Sequence, residues 1–149
     1  MSKVEERRSH WGWGFDTKRL AGPDLGRLAR ALSDRFGTSL VARQPVPLGD
    51  VHLRAPRMPP PGVLGAILTD EPYERCLHSY GRSFRDAVRG SFGQYPNPPD
   101  LVAKPASEED VAAILDWCAS TGQACIAFGG GSSVVGGVEP DISDKWKGV

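Results

Sequence analysis

The run Phe128-Gly-Gly-Gly-Ser-Ser-Val-Val-Gly-Gly-Val-Glu139 constrains this chain more than any other stretch. Glycine reaches positive φ without a side-chain penalty and lets the backbone come close to a ligand. Successive amides in such a run turn into one concavity, an anion-binding nest. Ser132 and Ser133 add hydroxyl donors. A pyrophosphate, with its many acceptor oxygens, suits that nest. The same glycines also suit a surface turn, and a short glycine motif alone does not separate the two. Two better-known phosphate motifs do not fit. A P-loop needs Lys after its glycines, and none follows here. The Rossmann spacing G-x-G-x-x-G opens a helix, whereas the step from Gly131 to Gly136 and Gly137 breaks that spacing and no helical pattern follows.

The residues before the run read as strand, helix, strand. Leu101-Val-Ala103 is a short apolar run between Pro99 and Pro105. Ser107 opens a helix, with Glu108, Glu109 and Asp110 placing negative charge at its positive end. Val111, Ile114, Leu115 and Cys118 form one apolar stripe at helical spacing. Gly122 suits the left-handed closing position. Ala124-Cys-Ile-Ala-Phe128 is a second apolar strand that leads into the glycines. Such crossovers are right-handed with parallel strands as a rule.

Upstream, punctuation dominates. The chain has 149 residues, with 18 Gly and 13 Pro, which favours long ordered loops over a helical bundle. A helix is expected from Pro23 to Phe36, where Leu25, Leu28, Leu32 and Phe36 recur at helical spacing and Gly37 supplies the stop. Its stripe is expected to pack in the ordinary way. The Pro-rich span 44–72 reads as a linker with at most one short helix or strand, Val63 to Leu68. Ser83 caps a short helix and Asp86 completes a capping box. Gln94 to Pro99 is forced into an extended loop. The expected division is a helical and Pro-rich region over 1–72 and a second region over 73–149.

Composition excludes several classes. Lys and Arg total 18, as do Asp and Glu, so the basic footprint of a nucleic-acid binder is missing. No stretch approaches the ~20 apolar residues of a membrane span, and the charged start MSKVEERRSH has no secretory apolar core. Cys76, Cys118 and Cys125 are odd in number and match no metal spacing, so reduced thiols and a cytoplasmic setting are expected. His10, His52 and His78 have no partner at ligand spacing, so surface or packing roles are expected and no metal site. Trp11 and Trp13 read as a packing anchor. Arg82 and Arg85 could approach a phosphate, but read as solvated surface.

Residues Ala127 to Glu139 resemble the pyrophosphate loop of the FAD-binding domain shared by vanillyl-alcohol oxidase and p-cresol methylhydroxylase relatives. Pro99-Asp-Leu-Val-Ala-Lys-Pro105 and Ser107-Glu-Glu-Asp-Val111 resemble the strand and helix start that precede that loop. Two further stretches resemble alkyldihydroxyacetonephosphate synthases within that family. They are Trp11-Gly-Trp-Gly-Phe-Asp16 and His78-Ser-Tyr-Gly-Arg-Ser83 with Asp86. The resemblance implies an α+β fold: a partial FAD-binding domain of the p-cresol methylhydroxylase type with a βαβ unit, behind the helical and Pro-rich region. It implies that Phe128, Gly129, Gly130, Gly131, Ser132 and Ser133 contact the FAD pyrophosphate, with Val134 beside it and Pro105 at the adenine. Some relatives attach FAD through a His in this loop. Ser132 stands at the aligned position, which implies noncovalent FAD.

For function, the resemblance implies exchange of an acyl chain for a fatty alcohol on dihydroxyacetone phosphate, in ether lipid synthesis. Other relatives oxidise hydroxy acids or alcohols, so a lipid-like or a hydroxy-acid substrate is implied for the full-length family. Members are much longer, so this chain is expected to be an N-terminal fragment, with no catalytic residue of its own. Alone it is expected to be marginally stable and to bind FAD weakly. Three readings remain open: a synthase-like fragment, an oxidase fragment on the same fold, and a non-catalytic remnant with an empty anion nest.

Overall fold

The computed structural model describes residues 6–140, 143 and 145–149. The helices are α1 (Gly22–Phe36), α2 (Pro72–Leu77), α3 (Phe84–Ser91) and α4 (Glu108–Thr121), and the strands β1 (Leu68–Thr69) and β2 (Val102–Ala103). Local chemistry sets the helix limits. Ser83 accepts from the Asp86 amide and Asp86 answers to the Ser83 amide, closing a capping box on α3. Ser107 and Asp110 do the same for α4. Gly37 and Gly122 end α1 and α4 in the left-handed conformation, at φ 61° and 77°.

The core lies between the Pro-rich span and the α2–α3 region. Cys76, Tyr80 and Tyr95 are buried, and Leu48, Val51 and Leu53 pack on them. Tyr80 and Tyr95 stack with centroids 5.4 Å apart. His10 Nδ1 lies 2.8 Å from the Tyr95 hydroxyl, which brings the aromatic N-terminal stretch onto this core. Trp11 crosses α3 so closely that a Cβ at Gly90 would stand 2.9 Å from its Cα.

The Pro-rich span is more than a linker. It holds 3-10 turns at Leu48–Asp50 and Gly62–Leu64 as well as β1. Its arginines converge on Asp100, which is fully buried. Arg54 and Arg57 both bond its carboxylate, the Arg57 guanidinium at 2.8 and 3.0 Å, and the Val149 amide adds a bond at 3.0 Å. Prolines blocked regular structure here, as expected, but side-chain bonds then fixed the irregular path.

The strand pairing differs from the expected βαβ unit. β1 and β2 pair antiparallel, Leu68 opposite Ala103 and Thr69 opposite Val102. Residues 124–128 form no strand. The reason lies in residues 147–149. The Asp100 and Leu101 amides donate to the Val149 carbonyl at 2.7 and 3.2 Å, and the Ala124 amide donates to the Gly148 carbonyl at 2.8 Å. Those residues therefore meet both β2's approach and the expected second strand. The α1 stripe also departs from expectation: none of α1 is buried, and Leu28 and Phe36 are exposed. The α+β class holds.

Candidate functional site: a carbonyl-anchored glycine loop

The loop at 128–134 is held by its first ring and by two of its carbonyls. The Phe128 ring rests on His78, centroids 4.3 Å apart. Gly131 sits at φ 67°, and a Cβ there would stand 2.5 Å from that ring. Glycine is thus required twice over, by backbone region and by space. The Gly130 carbonyl accepts from Arg8 Nη2 at 3.0 Å. The Ser133 carbonyl accepts from the Arg82 amide at 2.6 Å. Gly81 permits that approach, because a Cβ on it would lie 1.9 Å from the Ser133 carbonyl oxygen. Beyond the loop, Arg89 holds Glu139 with two bonds, at 2.8 and 2.9 Å, and also bonds Asp86 of its own helix.

The amides tell the complementary story. The N–H groups of residues 129–134 donate to no acceptor among the described residues. Gly129, Gly130 and Ser132 are exposed. A row of unpaired amides, with the Gly130 and Ser133 carbonyls tied back, is what an anion nest requires, so the residues present fit a pyrophosphate. Val134 is exposed at the end of the row and adds no polar group beyond its amide.

The surroundings are cationic and apolar. Arg82 is buried, against the solvated role expected for it. Its guanidinium donates to the Gly81 carbonyl at 2.8 Å, and burial, then the nearby Arg8 charge, lower its pKa. Arg85 is exposed, as expected. The Trp13 indole N–H donates to the Arg82 carbonyl at 3.1 Å, so Trp13 anchors by its nitrogen while its ring stays exposed. His78 is part-buried and its pKa is lowered, chiefly by burial, which favours the neutral ring beside Phe128. Beside Phe128 an apolar cleft of about 470 Å³ opens, lined among others by His78, Pro105, Val111, Ile114 and Leu115. Val111 and Leu115 are half-exposed in it, so only part of the α4 stripe is core.

The sequence singled out the glycine loop, offered Arg82 near a phosphate only as the lesser reading, and gave no neighbour role to Arg8 or Gly81. For Gly81 and Arg82 a signal existed in the His78 to Ser83 stretch. For Arg8 there was none, since 122 positions separate it from Gly130.

Residues 99–144 match a family model described as an FAD binding domain. The alkyldihydroxyacetonephosphate synthase of Dictyostelium discoideum is 35% identical over 79 residues, which is 53% of this chain and 13% of that protein. The synthase of Trypanosoma brucei brucei is 33% identical, over 57% of this chain and 16% of that protein. A solved structure of an alkyldihydroxyacetonephosphate synthase superposes with a TM-score of 0.75 at 26% identity, covering 93% of this chain and 31% of that one. The chain therefore spans well under a third of the length of the curated relatives it matches. Residues 99–144 carry an FAD binding domain match, in a chain similar to alkyldihydroxyacetonephosphate synthases over a minor part of their length.

Proposed function

We propose that this chain binds FAD noncovalently, with Phe128, Gly129, Gly130, Gly131, Ser132, Ser133 and Val134 around the pyrophosphate. The observation that carries this reading is the row of amides at 129–134 with no protein acceptor among the described residues. Ser132 offers a hydroxyl, which forms no stable bond to a flavin ring, so the cofactor stays exchangeable. Pro105 and the apolar cleft beside Phe128 suit the flat adenine. FAD supplies the reactive ring system, and the chain binds and orients its phosphates. The wider activity we propose is the one in the relatives' name, alkyldihydroxyacetonephosphate synthesis, on a lipid-like substrate in the cytoplasm. Among the described residues no helix is long and apolar enough to cross a membrane.

Titration of the purified chain with FAD, ADP and riboflavin tests the cofactor reading. FAD and ADP are expected to bind and to compete, while riboflavin, which lacks the pyrophosphate, does not displace them. Acid precipitation should release all the flavin to the supernatant. No binding of FAD or ADP overturns the reading, and flavin retained in the precipitate overturns noncovalent attachment.

A further inference from the structure

Arg8 stands outside every motif of the sequence, yet its side chain lies on the glycine loop. Its backbone is fixed from two sides. The Tyr73 hydroxyl donates to its carbonyl at 3.0 Å, and Arg8 pairs with Phe15 in an isolated antiparallel bridge. From that post Nη2 reaches the Gly130 carbonyl at 3.0 Å. A guanidinium carries five N–H donors, and the rest of this one has no acceptor among the described residues. Arg8 is exposed and forms no ion pair with a carboxylate there.

Arg82 deepens the imbalance. It is buried and forms no ion pair with a carboxylate among the described residues. Its guanidinium has the Gly81 carbonyl at 2.8 Å and the Ser9 carbonyl at 3.5 Å. A buried charge with no directly paired counter-ion is costly, and Asp86 acts on this one only through space. Buried Arg82 and exposed Arg8 both lie against a loop whose free amides carry further partial positive charge. All three features act in one direction, towards a polyanion.

We propose that Arg8 is a phosphate-binding residue, the exposed cation that clamps the pyrophosphate against the amides of residues 129–134. This rests on the pyrophosphate reading of the loop. The planar guanidinium matches two phosphate oxygens at once, which an ammonium does not. Arg82 lies too deep to close on a ligand, and holds the loop from below through its amide.

Arg8→Gln and Arg8→Lys, titrated with FAD and with inorganic pyrophosphate at several salt concentrations, test the proposal. For Arg8→Gln both ligands are expected to weaken about tenfold, the worth of one charge-assisted contact, with a shallower salt dependence. Arg8→Lys should recover part of the loss. Because the side chain is exposed, the thermal midpoint of the ligand-free chain should stay unchanged. Unaltered affinity and salt dependence in Arg8→Gln overturn the proposal and leave the loop reading intact. So does Arg8→Lys binding no better than Arg8→Gln. If the unsubstituted chain takes up neither ligand, the loop reading falls and the Arg8 proposal falls with it.

Discussion

Gly81 is the residue on which the loop's position turns. A methyl there would meet the Ser133 carbonyl oxygen at 1.9 Å and its carbon at 2.8 Å. Both are backbone atoms, so no rotamer relieves the clash and the loop itself must move. Movement breaks the 2.6 Å bond from the Arg82 amide to Ser133. Gly81→Ala is therefore expected to weaken FAD or ADP binding about tenfold or more, the scale of one lost hydrogen bond plus a displaced nest. Far-UV circular dichroism should stay close to the parent, because α2 and α3 lie outside the clash. Gly129 and Gly130 offer the contrast. A Cβ on either meets nothing, so Ala at Gly129 should fold normally and report only on access to the ligand. The glycine run was legible in the sequence because glycine advertises backbone freedom by its type. Arg82 was not. Arg is a surface residue by habit, and only the fold shows the N-terminal segment lying over it.

Helix ends were the most legible elements, because capping is settled within four residues. Ser83 with Asp86, and Ser107 with Asp110, needed nothing distant to form their boxes. Ser107→Ala should cost about 1 kcal/mol of stability, read as a lower urea midpoint with little change in ligand affinity. Strand pairing was the least legible. Ala124 to Phe128 has the composition of a buried strand, but a strand exists only through its neighbour. Here the Gly148 and Val149 carbonyls take the amides of Asp100, Leu101 and Ala124. Three residues, Lys147-Gly-Val149, are too short a run to have signalled it. The α1 stripe failed in a related way: periodicity shows that a helix has an apolar face, and cannot show what covers it. Leu28 and Phe36 remain exposed.

At the scale of the molecule, three stretches distant in sequence are tied together at Asp100, and acid should loosen the tie. Burial raises the Asp100 pKa, but bonds from Arg54, Arg57 and the Val149 amide outweigh it and hold the carboxyl well below its ordinary 3.8. A folded-state pKa below the unfolded one means that the unfolded chain binds more protons. The stabilisation is thus complete above pH 3.8 and is lost as pH falls below it. His10 and His78 act at higher pH with the same sign. Burial lowers both from 6.5, so their contribution is complete above that value and shrinks as pH falls through it. Urea midpoints should therefore decline in two stages, one beginning near pH 6.5 and one below about pH 4. Asp100→Asn separates them. It sets two arginines, each about a quarter exposed, against a neutral amide. The cost at pH 7 should be about 3 kcal/mol, the low end for an unpaired charge because water still reaches the guanidiniums. The lower stage should flatten while the histidine stage persists. An unchanged midpoint at pH 7, or an undiminished lower stage, would show that Asp100 does not hold the Pro-rich span to the rest of the molecule.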